Sequence, residues 1–380
     1  MRNIQSLLLL IVFAFHAHAQ ELSIEQKLEG IINSYPAVGL SVAVVKNNKI
    51  IYTHSFGYQN KEENKLLQND NLFRIASISK SFTATALLQL VEKKLISLDD
   101  DVSNLIGFTV RNPNHPEKVI TLRMLLSHRS SLNDSQGYFN LDVVDPSTNN
   151  NNYQKCYNTY APGEGYQYCN LNFNMAGTIL ERITGERFDS YIKKQILSPL
   201  GIEGGYNIDS LDQTKFAMLY EFNGKEGKFT PNPGAYSSKS TELVNYKMGR
   251  STPIFSPTGG MKIAAPGLAR YMIMHSRHGK YAGGRILRKK TSQLMQTPLS
   301  ADGNDQYGLA LWKTNKLIPG VELTGHTGSA YGLNSAFFFN PKQKFGLVVI
   351  CNGSKIVYKE GYPTIISSAL NILYENFLNN

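Results

Sequence analysis

Ser77 and Lys80 stand three residues apart in the stretch FRIASISKSFTATALLQL, residues 73–90. On a helix that spacing puts both side chains on one face. A serine hydroxyl attacks poorly until a neighbouring base takes its proton, and a lysine withdrawn from water can be neutral enough to do so. The frame S-x-x-K is weak alone, because short motifs recur by chance, and Ser190 with Lys193 repeats it in RFDSYIKKQIL. Setting separates the two. Ser77 falls where the extended run NLFRIA gives way to a long apolar helix, and a helix start offers unpaired N–H groups and a positive dipole end to developing negative charge. Ser190 has no such setting and reads as part of an exposed amphipathic helix.

Two further clusters can serve the same chemistry. Tyr168-Cys169-Asn170 lies in PGEGYQYCNLNFNMAGTILERITG, after Pro-Gly and before a helix; the Y-x-N frame also occurs at Tyr58, Tyr138 and Tyr374. A tyrosine with a pKa lowered by a nearby lysine can relay a proton, and an asparagine can hold a substrate amide. A tyrosine packed in an interior is the plainer alternative. His326-Thr327-Gly328-Ser329 closes a strand-like run. An extended substrate can pair with such a strand, whose N–H can join that of Ser77 as an oxyanion hole. Gly328 permits close backbone approach, whereas a lone strand histidine is more often structural.

The elements that would position these residues come from both chain ends. ELSIEQKLEGIINSY has helical apolar spacing, and runs 38–45 and 49–57 flank the turn KNNK as a β-hairpin. GVELTGHTG, NSAFFFNP and KFGLVVICN read as three strands, and TIISSALNILYENFL as a closing helix. Between Ser77 and Gln306 the pattern is mainly helical, including PGLARYMIMHSRHG with Pro266 in its first turn. The expected fold is α/β (α+β). A sheet lobe of about 20–76 and 307–380 carries an inserted helical lobe of about 77–306, and the cleft between lobes is a usual small-molecule site.

Residues 1–19 read as a secretory signal peptide: Arg2, an apolar run from Leu7 to Phe15, and AHA ending at Ala19. The expected location is therefore outside the cytoplasm, periplasmic or secreted, with no transmembrane segment after cleavage. The net charge is +10, and Leu243–Ala301 holds ten Lys or Arg residues and no Asp or Glu. That run lacks the aromatic interleaving of a nucleic-acid module, so no nucleic-acid partner is expected; a solvated face or an anionic surface or substrate suits it better. Cys156, Cys169 and Cys351 are an odd set that argues against a disulfide framework, with a Cys156–Cys169 pair left open. No zinc-like spacing of Cys or His appears, and neither metal nor cofactor is called for.

Together S-x-x-K, Y-x-N and H-T-G resemble the ordered triplet of the serine β-lactamase and penicillin-binding protein superfamily, and most closely the class C β-lactamase-related serine hydrolases. FRIASISKSFTATALLQLVEKKLISLDDDVSNLI resembles that family's nucleophile helix, TLRMLLSHRSSL its LLSHTSGL element, and ILSPLGI and TGGMKIAAPGLARYM its later landmarks. The resemblance covers most of the mature chain. It implies an acyl-enzyme on Ser77, with Lys80 as its proton partner and Tyr168 as general base. It places Asn170 on a substrate amide, His326, Thr327 and Ser329 along the bound substrate, and the oxyanion between the N–H groups of Ser77 and Ser329. The implied substrate is a small molecule or peptide, including cell-wall peptide. The sequence departs from class C β-lactamases at His326, where they carry lysine, and at Arg129-Ser130-Ser131 and Cys169. A histidine titrates near pH 6.5, so a carboxylate held by His326 would weaken as pH rises through that value. A peptidase or esterase is expected ahead of a genuine β-lactamase or a penicillin-binding sensor that acylates and stalls.

Overall fold

Asn47 and Asn48 both adopt left-handed backbone, with φ of 53° and 60°. This is the signature of a type I′ turn, which asparagine tolerates and whose twist matches the strands it joins. It folds β1 (Gly39–Lys46) straight back on β2 (Lys49–Asn60). The computed structural model describes residues 22–148, 152–303 and 305–379; the expected signal segment 1–19 and residues 149–151 of the asparagine-rich loop lie outside them.

Seven more strands extend this hairpin: β3 (Lys65–Leu66), β4 (Ser300–Asp302), β5 (Asp305–Tyr307), β6 (Trp312–Thr314), β7 (Leu323–Ala330), β8 (Leu333–Asn340) and β9 (Phe345–Cys351). The sheet order is β4-β5-β6-β7-β8-β9-β1-β2-β3, antiparallel throughout. The two chain ends meet where β1 pairs with β9, from Leu40 opposite Cys351 to Lys46 opposite Phe345.

Five long helices accompany the sheet: α1 (Ile24–Ser34), α2 (Ser79–Glu92), α3 (Asn170–Thr184), α4 (Ala265–Ser276) and α5 (Thr364–Phe377). Side chains alternate along a strand. Leu40, Val42 and Val44 of β1 therefore join Leu347 and Val349 in a core with Leu28 of α1 and Leu370 of α5. Ala43, Val45, Val348 and Ile350 face the opposite core, which continues through α2, α3 and α4. Burial on both faces explains why these strands read as unbroken apolar runs. α1 begins with a capping box in which the Gln26 backbone N–H donates to Ser23 Oγ at 3.2 Å and the Ser23 N–H to Gln26 Oε1 at 2.9 Å.

Three elements that begin within the span 77–306, α4, β4 and β5, belong with the sheet rather than with an inserted lobe. Tyr271 of α4 meets Phe337 of β8 with ring centroids 6.0 Å apart. A Cβ at Gly346 of β9 would lie 2.6 Å from the Met272 methyl. β4 forms the sheet edge. Amphipathic spacing marks α4 as a helix but does not say which lobe covers its apolar face. The left-open disulfide is not formed either: all three cysteines are free and buried. Cys156 Sγ sits 3.2 Å from the Val143 carbonyl and Cys169 Sγ 3.2 Å from Asp134 Oδ1. Among the described residues no helix is long and apolar enough to cross a membrane.

Candidate active site

Phe73 and Arg74 form a short strand paired with Lys262 and Ile263. The chain then turns through Ala76, held at φ 50°, into one 3-10 turn, Ala76–Ile78, that leads into α2. Two small hydroxyls fix this turn. Ser79 Oγ donates to the Ala76 carbonyl at 2.6 Å and accepts from the Met261 N–H at 3.1 Å. Ser335 Oγ of β8 donates to the Ile75 carbonyl at 3.1 Å. β7 lies directly against the same carbonyl, for a Cβ at Gly328 would fall 2.2 Å from the Ile75 oxygen. Gly328 is thus required by contact, and it brings the H-T-G strand against the turn that presents Ser77.

Lys80 is fully buried, with Nζ 3.0 Å from Ser77 Oγ and 3.1 Å from the Thr258 carbonyl, to which it donates. The rings of Tyr168 and Phe173 flank the nitrogen at 4.9 and 5.9 Å. Burial penalises the ammonium and pulls its pKa from 10.5 down to about 7, against a smaller opposite pull from Asp134 and Cys169. Near neutrality a large share of Lys80 is therefore the free amine, within reach of the serine proton. The other S-x-x-K pair has no such environment: Lys193 is exposed and starts a π-helical turn.

Tyr168 departs from its expected electrostatics. Burial pushes its phenol above the ordinary value, with a hydrogen bond to Ser77 pulling the other way, so it is a proton donor at neutral pH and not a ready base. Its ring packs at a tilt against His128, centroids 4.3 Å apart and planes 36° from parallel. Burial also keeps His128 well below its usual range, so it is neutral, and its Nδ1 accepts the Cys169 N–H at 3.1 Å. His128 stands inside the recognised LLSHRSSL element, but its role there is visible only once Tyr168 is folded against it.

Asp134 is a site residue that no motif flagged. Its carboxylate accepts the N–H groups of Asn170 and Leu171, at 2.8 and 3.0 Å, and Asn170 Nδ2 at 2.8 Å. It thereby satisfies the orphan donors at the start of α3. The Asn170 amide nitrogen is committed to Asp134, which leaves Oδ1 as the atom to meet a substrate N–H. A lone aspartate in SSLNDSQG, thirty-six residues earlier, gives no sequence sign of this pairing.

His326 differs from expectation in both position and charge. Its ring is buried behind Tyr168, centroids 6.4 Å apart. Nδ1–H donates to the Thr327 carbonyl at 2.5 Å and Nε2 accepts the Tyr307 hydroxyl at 3.2 Å. Burial, with a lesser push from Lys80, takes its pKa to about 3. His326 is neutral across the physiological range and supplies no cation that titrates near pH 6.5. Of its neighbours, Thr327 is half-buried and Ser329 exposed.

A cleft of about 460 Å³ collects Ser77, Tyr168, Asn170 and Ser329, with Arg74 and Tyr331 on its wall. A larger depression of about 630 Å³ near Asn315 and Tyr362 contains no serine bonded to a lysine. The chemistry, not the volume, marks the site. Its arrangement can activate a serine and donate a proton from a phenol, with β7 running beside the turn that carries the nucleophile.

The sequence model of the Beta-lactamase family matches residues 24–367. Among curated proteins, "Protein flp" of Staphylococcus aureus (strain N315) is 24% identical over 368 residues, covering 89% of this chain and 67% of its own length. Among solved structures, the octameric penicillin-binding protein homologue from Pyrococcus abyssi superposes with a TM-score of 0.72 at 26% identity, over 93% of this chain and 78% of its own. EstCE1, a hydrolase with promiscuous acyltransferase activity, gives 0.72 at 20% identity, over 91% and 98%; at that identity the likeness is one of fold.

Proposed function

The chain belongs to the β-lactamase family, and from that premise we propose that it is an exported serine hydrolase working through an acyl-enzyme on Ser77. The observation that carries this reading is the 3.0 Å approach of the buried Lys80 Nζ to Ser77 Oγ. Neutral Lys80 takes the hydroxyl proton as Oγ attacks the acyl carbon. The tetrahedral oxyanion forms between the N–H groups of Ser77 and Ser329, which gain strength as charge develops. Tyr168, protonated at neutral pH, hands its proton to the leaving group and recovers from Lys80 the proton that Lys80 took from Ser77. Water then attacks the acyl-enzyme along the reverse route, with the free Lys80–Tyr168 pair as base. Asn170 Oδ1 accepts a substrate N–H.

The substrate is a peptide, amide or ester, with an esterase or D,D-peptidase-like activity ahead of β-lactam hydrolysis. The neutral, buried His326 supports this order, since it offers no charge to the carboxylate that a β-lactam carries. The N-terminal segment 1–19 supports export, and cell-wall peptide is then an accessible substrate. The test is parallel incubation of the mature protein with a fluorophosphonate, a penicillin and a p-nitrophenyl ester, with adduct mass and turnover both followed. Fluorophosphonate labelling with ester turnover and no penicillin reaction supports the reading. Rapid penicillin release makes the protein a β-lactamase, and a penicillin adduct without turnover makes it a sensor.

A further inference from the structure

Arg74 and Lys262 are direct cross-strand partners. Side chains at opposed positions of an antiparallel pair leave the same face, and like charges so placed repel. The usual remedy, a carboxylate between them, is missing: among the described residues neither takes part in an ion pair. Their hydrogen bonds go to carbonyls only. Lys262 Nζ donates to Tyr206 O at 2.7 Å, and Arg74 donates from Nε to Gly259 O at 3.0 Å and from Nη1 to Ala235 O at 3.2 Å. Lys262 nonetheless retains only 6% exposure.

This cation pair borders the chemistry. Both residues line a depression of about 40 Å³, large enough for a compact anionic group. Arg74 and Ser256 line that depression and the Ser77 cleft alike. Arg74 is also braced from the cleft side, its guanidinium 4.7 Å from the centroid of the Tyr331 ring. The other charges around the pair are Lys239, already bound to Glu242 at 2.6 Å, Asp209, which accepts from Ser238 Oγ at 2.8 Å, and Glu221 on the cleft wall, which accepts from Asn232 Nδ2 at 3.2 Å. Asp209 offsets part of the charge on Lys262, but no carboxylate forms an ion pair with either residue among the described residues.

We infer that Arg74 and Lys262 form an anion subsite continuous with the Ser77 cleft, which selects acyl substrates bearing a carboxylate. The planar guanidinium fork and a desolvated ammonium suit a carboxylate, whose binding would relieve the cross-strand repulsion. Burial and the charge of Arg74 pull Lys262 down to about 7, against a smaller opposite pull from Asp209, and an anion beside it would restore the proton. The inference rests on the acyl-enzyme reading of Ser77 only for its catalytic consequence. It gives the Arg74–Lys262 pair the charge recognition that His326 cannot supply.

The test uses the full mature chain. Three esters are compared: neutral p-nitrophenyl butyrate, p-nitrophenyl glutarate with a carboxylate on the acyl side, and 4-carboxyphenyl butyrate with one on the leaving side. Arg74→Gln and Lys262→Met should each lower kcat/KM for one charged ester, relative to the neutral one, by tenfold or more, and Arg74→Lys by less. Equal losses on all three esters mean that the pair only supports the fold, and overturn the subsite. A second arm needs neither turnover nor a labelled serine: glutarate, but not glutaramide, should raise the thermal midpoint of the wild type, and Arg74→Gln should lose the effect. Equal shifts with both compounds, or none, overturn the proposal even if Ser77 is acylated. Absence of Ser77 acylation with the glutarate effect intact leaves the subsite standing and refutes the acyl-enzyme reading instead.

Discussion

Lys80→Met should make the fold more stable in acid while abolishing acylation, and the size of the effect follows from the burial of Nζ. In the folded chain the amine titrates near about 7, in place of its ordinary 10.5. Between those values the unfolded chain holds a proton that the folded chain has released, so wild-type stability rises with pH across that window. Each tenfold in acidity is worth ~1.36 kcal/mol; integrating from pH 6 to pH 9.5 gives a rise of about 3 kcal/mol owed to this one group. Methionine fills the space without titrating, so its variant lacks the rise. The lost hydrogen bonds to Ser77 and the Thr258 carbonyl lower the variant's stability by an amount that does not vary with pH, and cancel in the comparison. Urea unfolding of both proteins at pH 6 and pH 9.5 reads the difference directly. Parallel pH dependence would mean that Lys80 is an ordinary charged lysine in the folded state, and the base role would fall with it.

Gly328→Ala should cost acylation about a hundredfold, since a methyl 2.2 Å from the Ile75 carbonyl must displace the turn bearing Ser77, and misplacement on the order of 1 Å is that expensive; single-turnover kinetics with a p-nitrophenyl ester check it. Asp134→Ala removes a negative charge that holds the Lys80 pKa up, so the pH midpoint of acylation should move down, while the loss of three donors' partner at α3 lowers stability by about 2 kcal/mol. His326→Gln should leave that midpoint in place, because a group held at about 3 does not titrate near neutrality; a shifted midpoint would show that the imidazole carries charge. Ser190→Ala should acylate like the wild type and Ser77→Ala not at all, as read by intact mass.

The architecture was legible because its signals are local. The turn KNNK between two apolar runs declares the hairpin, the unbroken apolar runs of β1 and β9 declare strands buried on both sides, and Ser77 with Lys80 share a helical face whatever the lobes do. The electrostatics of the site were not legible, because they depend on what folds over each group. Nothing in Tyr168-Cys169-Asn170 says that Tyr168 will be buried against His128 and held protonated, or that Asn170 will give its amide nitrogen to Asp134. His326 looks like a substitute for a cleft cation until Tyr307 and the Thr327 carbonyl are seen to occupy both ring nitrogens. Arg74, three residues before the nucleophile, meets Lys262 only through a strand pair spanning most of the inserted region. The placement of α4 was hidden for the same reason: helical periodicity records an apolar face and not its partner.

The most direct measurement is the rate of fluorophosphonate labelling from pH 5 to pH 9, with the adduct located by peptide mapping. The structure predicts a single adduct on Ser77, forming about tenfold faster per pH unit below the Lys80 midpoint and levelling off above about 7. An adduct on another serine, or a Ser77 rate that keeps climbing to pH 9 as an ordinary lysine would require, would contradict the account.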